Sequence, residues 1–214
     1  MTTGDEAGAL REWIATHLDP LKEPTDGGLV RSDFDLDPTH AHVDAQPLAA
    51  AAVLVALVER PHGLSVILTR RADALRNHSG QIALPGGRCE AGEAPWEAAL
   101  REAEEEIGLD PRLVSLAGLS TPYRTGTGFH VTPVVGFVAP GFALEANPAE
   151  VADIFETPFG FLMDPANHEE RTGKTPAGAE RRFYAITWED RMIWGATAGM
   201  LRALYTRLYG AAVG

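Results

Sequence analysis

Residues 86–109 read GGRCEAGEAPWEAALREAEEEIGL, and this segment leaves little choice of local structure. Trp96, Ala99, Leu100, Ala103 and Ile107 recur at helical spacing and form one apolar stripe, which has to be buried against another layer. Pro95 suits a first turn, where a missing N–H costs nothing, and Gly108 is a stop signal. With a turn of about 100° per residue, Glu102, Glu105 and Glu106 fall together on a different side, within an arc of about 100°. Arg101 lies one turn before Glu105 and can pair with it.

Three carboxylates on one face near a helix C-terminus oppose helix stability. Glu102 and Glu106 are like charges four residues apart, at a cost of a few tenths, about 0.2–0.5 kcal/mol. Negative charge in the last turns also opposes the macrodipole, by about 0.3–1 kcal/mol. A solvated face accounts for Glu97 and Glu104. For Glu102, Glu105 and Glu106 a bound hard cation explains the clustering better, because magnesium and manganese prefer carboxylate oxygen. The whole chain is acidic, with 30 Asp and Glu against 18 Lys and Arg and a net charge of −12. Such a field disfavours nucleic acid and anionic membranes as partners. It suits a phosphate-ester substrate only if divalent metals stand between carboxylates and phosphate.

The remainder reads as one α/β domain with an N-terminal appendage. Residues 5–18 space Leu10, Ile14 and Leu18 as a short amphipathic helix, and residues 19–47, rich in Pro, Asp, Gly and His, read as an irregular connection. His40, His42 and Asp44 in that stretch read as solvated loop residues, since no further ligand accompanies them. AAAVLVALVER and LSVILTRR flank Pro61-His62-Gly63 as a two-stranded hairpin. QIALPGG suggests a short strand and turn. Strands are expected at residues 113–119, 131–138, 151–155, 183–188 and 192–194, and a closing helix at 198–209, with Leu201, Leu204, Tyr205 and Leu208 on one face. Mixed strands with few helices argue for a mixed sheet. No apolar run is long enough to span a bilayer, and the N-terminus has no signal-peptide core, so a cytoplasmic location is expected. The single cysteine, Cys89, excludes an intrachain disulfide and reads as a small loop residue.

The spacing of this segment resembles the Nudix box. Gly87 is followed after five residues by Glu93, and after seven more by the run from Arg101 to Leu109. Glycine, glutamate, Arg-Glu, Glu-Glu and the final Gly-aliphatic pair are all present, with Ala103 a small residue where the pattern has an aliphatic one. The resemblance implies a Nudix-type α/β/α sandwich around a mixed β-sheet, residues 48–214, with residues 1–47 as an extension. It also implies Glu102, Glu105 and Glu106 as ligands of Mg2+ or Mn2+, Glu93 and Arg101 as orienting residues, and Gly86 and Gly87 as the tight loop over the metals.

Upstream, ILTRRADALRNHSGQIALPGG resembles a signature of the coenzyme A diphosphatase branch of that family. Leu68, Thr69, Arg71, Ala72, Arg76, Gly80, Pro85, Gly86 and Gly87 match it. Ile67 and Leu84 depart from it, as apolar replacements of Leu and Phe. Arg71 and Arg76 suit the phosphates of coenzyme A, because guanidinium binds phosphate oxygens as a fork; surface ion pairs are their other reading. Residues 125–138, 147–165 and 193–201 also resemble this branch. Glu150, in a loop before an expected strand, is a metal ligand, a general base or an exposed loop residue on this reading. His130 and His168 are weaker candidates for the base. The implied reaction is metal-dependent hydrolysis of coenzyme A, or its acyl or oxidised forms, to 3′,5′-ADP and 4′-phosphopantetheine or its derivative. Alternatives are a Nudix hydrolase of ADP-ribose, NADH or another nucleoside diphosphate derivative, or a Nudix-fold module that binds without hydrolysing, for which a ligand glutamate should be missing.

Overall fold

The computed structural model describes residues 3–22, 29–37, 47–73, 80–174, 178 and 180–210. His40, His42, Asp44 and Arg76 lie outside these described residues.

The apolar run after residue 48 is a strand because a sheet buried on both faces needs no polar alternation. Helix α1 (Thr3–Thr16) and the two-residue strand β1 (Arg31–Ser32) precede it, and it forms β2 (Ala49–Arg60). The even-numbered Ala52, Leu54, Ala56 and Val58 enter one apolar cluster, and Ala51, Val55 and Leu57 enter another, as the two-residue period of a strand requires. β3 (Gly63–Arg71) folds back on β2 through the expected hairpin, with Arg60 opposite Gly63. β4 (Ile82–Ala83) and β5 (Gly86–Arg88) follow, then helix α2 (Pro95–Ile107), β6 (Val114–Leu119), β7 (Tyr123–Arg124), β8 (Phe129–Val138) and β9 (Val151–Pro158). The short helix α3 (Phe159–Leu162), strands β10 (Glu169–Lys174), β11 (Glu180–Trp188) and β12 (Arg191–Trp194), and helix α4 (Ala196–Tyr209) follow among the described residues.

β1 to β9 form one mixed sheet and β10 to β12 a small antiparallel one. β2 is central. It runs parallel to β8 from Ala49↔Phe129 to Val58↔Val138. On its other side it pairs antiparallel with β3 at one end and with β5 at the other, so the sheet opens between them. Helix α2 covers one face, where Ala98, Ala99, Ala103 and Ile107 meet the even-numbered side chains of β2. Ile14 of α1, Leu162 of α3, and Leu201 and Leu204 of α4 cover the other. The result is an α/β/α sandwich, as expected. No described helix is long and apolar enough to cross a membrane.

Three local expectations are corrected. Part of the stretch read as irregular forms β1, which pairs in parallel with β7, Arg31 opposite Tyr123. QIALPGG yields two strands with different partners, β4 on β3 and β5 on β2. Residues 169–174, for which no strand was expected, form β10 against β11.

Candidate active site

The site begins with two glycines that bring backbone against α2. Gly86 and Gly87 in β5 lie opposite Val53 and Ala52 of β2. A Cβ on Gly86 would fall on the Ala52 carbonyl and Val53, and one on Gly87 would fall on the Glu102 carboxylate. Glycine is needed at both because backbone approaches this closely.

Glu106 lies beneath this strand, which stands where the sequence suggested a tight loop. It is 4% exposed, although the helical pattern put it on the polar side of α2. Its Oε2 accepts from the Gly86 N–H at 3.1 Å, and Arg71 Nη1 stands 3.8 Å from its Oε1. Burial pushes its pKa up to about 7; the Gly86 bond and Arg71 pull the other way, and repulsion from Glu102 and Glu150 adds to the rise. The Glu102 carboxyl is also raised, first by burial, with Glu105 and Glu150 adding and Arg101 opposing.

Arg101 organises the outer side of the cluster. Its Nε and Nη2 form a fork with Glu93, at 2.8 and 3.0 Å, and Nη2 also donates to the Arg88 carbonyl at 3.0 Å. Its Nη1 reaches Glu102 at 3.0 Å and the exposed Glu105 at 3.3 Å. The fork holds Glu93 below the usual carboxylate range. Glu93 Oε2 also accepts from the Glu90 N–H at 2.8 Å, which closes the turn before α2. Glu97, read as a solvated residue, bonds the Ala94 N–H at 3.0 Å and so caps the helix. Cys89 sits nearby as a free thiol whose pKa is raised by burial, in keeping with an inert loop residue.

The loop carrying Glu150 is stitched to both sides of the cluster. Its Asn147 N–H donates to the Glu106 carbonyl at 2.9 Å, and the Ala72 N–H donates to the Glu150 carbonyl at 2.8 Å. Register slips between Arg70 and Arg71 where β3 meets β9, and such irregularities re-aim side chains. Arg71 thereby stands at Glu106 and also lines a cleft of about 530 Å³ beside the small sheet. That cleft, which the sequence did not reveal, is lined by Asp33, Lys174, Arg181, Phe183 and Trp194 among others.

Glu93, Arg101, Glu102, Glu105, Glu106, Gly86, Gly87, Arg71 and Glu150 are therefore brought together. His130 and His168 are not bonded to them among the described residues. His130, on β8 opposite Ala50, has an enclosed Nε2 without a partner. His168 is buried with Nε2 2.6 Å from the Leu162 carbonyl and its ring edge-on to Tyr205, a packing role that lowers its pKa through burial.

The donor set suits a hard divalent cation, being all oxygen, partly desolvated and mutually repelling. As the side chains stand, no group of three His, Cys, Asp or Glu among the described residues encloses a single point, and Arg101 bridges Glu102 and Glu105.

A family model described as NUDIX domain matches residues 48–185. An uncharacterized Nudix hydrolase, NudL, of Yersinia pestis (strain Pestoides F) is 36% identical over 167 residues, covering 78% of this chain and 83% of that protein. NudL of Yersinia pseudotuberculosis serotype O:1b matches to the same extent. Among solved structures, a Nudix hydrolase from M. Smegmatis, RenU, aligns at a TM-score of 0.47 with 24% identity, over 56% of this chain and 77% of that one. The family model spans most of the chain and the relatives exceed one-third identity, so the chain belongs to the Nudix hydrolase family.

Proposed function

We propose that the protein hydrolyses the diphosphate bond of coenzyme A, or of its acyl or oxidised forms, in a metal-dependent reaction that releases 3′,5′-ADP and 4′-phosphopantetheine or its derivative. The observation that carries the reading is Arg71. This residue of the upstream signature stands 3.8 Å from the buried Glu106 and also lines the neighbouring cleft, so one cation borders both the acidic cluster and the space for a substrate arm.

Nudix hydrolases generally use divalent metals such as Mg2+ or Mn2+. On this reading Glu102, Glu105 and Glu106 hold the cation. When bound, it neutralises diphosphate charge, polarises the P–O bonds and lowers the pKa of the attacking water. Water adds to one phosphorus, the bridging P–O bond breaks, and the water's proton leaves through a neighbouring carboxylate. Glu150 is the candidate to accept it, since its charge is felt by both Glu102 and Glu106. Arg101, anchored by Glu93 and Arg88, fixes Glu102 and Glu105. Gly86 and Gly87 keep the backbone close enough to Glu102 and Glu106 to enclose the metal side of the site. Arg71 supplies a guanidinium to the phosphates. A complete set of glutamates favours catalysis over a binding module that does not hydrolyse.

The test is kcat/KM for coenzyme A, ADP-ribose and NADH under identical metal conditions. Coenzyme A is expected to be turned over fastest. Faster turnover of ADP-ribose or NADH would transfer the assignment to that substrate.

A further inference from the structure

The cleft beside Arg71 reverses the sign of its surroundings. In a chain of net charge −12, its described lining includes Arg71, Lys174 and Arg181 against one acid, Asp33. That acid is already engaged. Asp33 Oδ1 accepts from the Tyr123 hydroxyl at 3.0 Å, and Oδ2 accepts from the Gly126 N–H at 2.7 Å and lies 2.8 Å from Arg181 Nη2. The Phe34 ring lies 5.7 Å from the Arg181 guanidinium. Residues 33 and 34 therefore fix one edge and one face of Arg181, and Asp33 itself is only 9% exposed. The Nε atoms of Arg71 and Arg181 are buried with no hydrogen-bond partner.

The same cleft carries an aromatic pair. Phe183 and Trp194 have ring centroids 5.5 Å apart, and Trp194 is 37% exposed. A volume of about 530 Å³ lies within the range of small-molecule sites, about 300–1,000 Å³. Fixed guanidinium beside exposed aromatic surface is the chemistry of a phosphorylated nucleoside: rings for the base, a fork for the phosphate.

We infer that this cleft is a subsite for a nucleoside arm bearing its own phosphate monoester, with Phe183 and Trp194 against the base and Arg181, aided by Lys174, on the monoester. Asp33 is then a positioning residue, and the N-terminal segment is part of substrate recognition. The inference rests on the diphosphate lying at Glu106 and Arg71.

The experiment is calorimetric binding of adenosine 3′,5′-bisphosphate and of 5′-AMP to the full chain without turnover. The wild type is expected to prefer the bisphosphate at least about tenfold. Arg181→Gln should abolish that preference and leave AMP affinity within about twofold, whereas Arg181→Lys should keep part of it. Asp33→Asn should weaken the preference in the same direction. Trp194→Leu should weaken both ligands together, by about fivefold or more. Glu106→Gln should leave the preference intact. Equal affinity for the two ligands in the wild type, or equal losses for both in Arg181→Gln, would overturn the subsite. Turnover separates the two readings. A wild type that shows the preference but leaves coenzyme A uncleaved retains the subsite and loses the proposed reaction. One that cleaves coenzyme A while Arg181→Gln treats it and dephospho-coenzyme A as the wild type does retains the reaction and loses the subsite.

Discussion

Glu106 is a carboxylate buried against its own interest. Its pKa near 7 means that folding favours the protonated form relative to an ordinary glutamate. The stability this group contributes is thus full below its unfolded pKa and is lost as pH rises through 7. The metal-free protein should lose up to about 3 kcal/mol of stability between pH 5 and pH 8 from this group. Denaturant titrations across that range should show the loss in the wild type and a much flatter profile in Glu106→Gln; equal slopes would contradict the origin assigned here. Magnesium or manganese at pH 8 should raise the wild-type midpoint, because a ligand bound only to the folded state stabilises it. In turnover, Glu106→Gln should lose orders of magnitude while remaining folded. Arg101→Lys tests a different property. Lysine keeps the charge but cannot form the fork with Glu93 while reaching Glu102, Glu105 and the Arg88 carbonyl. It should lower metal-dependent turnover by about 10–100-fold, chiefly through weaker apparent metal affinity.

Among the elements, α2 and the loop before it were the most legible. The stripe Trp96, Ala99, Leu100, Ala103 and Ile107 predicted a helix packed on a sheet, and Gly108 indeed ends it in a left-handed conformation. The long apolar β2 and its hairpin with β3 were legible for the same reason, since burial writes a pattern into sequence. Elements of two or three residues, such as β1, β4, β5 and β7, are too short to carry a period and exist only through their partners. β10 reads EERTGK and has no apolar face to announce it. The candidate site was legible as a list of carboxylates, but the burial of Glu106 was not, because it depends on β5 crossing above α2. Gly87→Ala tests that crossing. Its Cβ would occupy the place of the Glu102 carboxylate, so metal affinity measured by calorimetry should fall at least about tenfold. Wild-type affinity would show that β5 gives way freely.

At the scale of the whole molecule, the acidic cluster lies on the α2 side of the central sheet, and the other side is closed by α1, α3 and α4. The N-terminal helix shares that closure, since Ile14 is fully buried in the same cluster as Val55, Leu57 and Leu201. Ile14→Ala should therefore cost about 2–5 kcal/mol in a single unfolding transition. A loss well below this, or a separate early transition, would show residues 1–47 to be a detachable appendage. The net charge and the acid-rich surface were readable at once, whereas the basic cleft was not, because Arg71, Lys174 and Arg181 come from separate strands.

The most direct measurement is product analysis on purified protein with coenzyme A, with and without magnesium. The predicted result is release of 3′,5′-ADP and 4′-phosphopantetheine that stops when the metal is chelated and is nearly absent in Glu106→Gln. Cleavage that persists without metal or in Glu106→Gln would contradict the acidic cluster as the catalytic centre, and intact coenzyme A beside metal-dependent cleavage of another diphosphate would contradict the role given to Arg71.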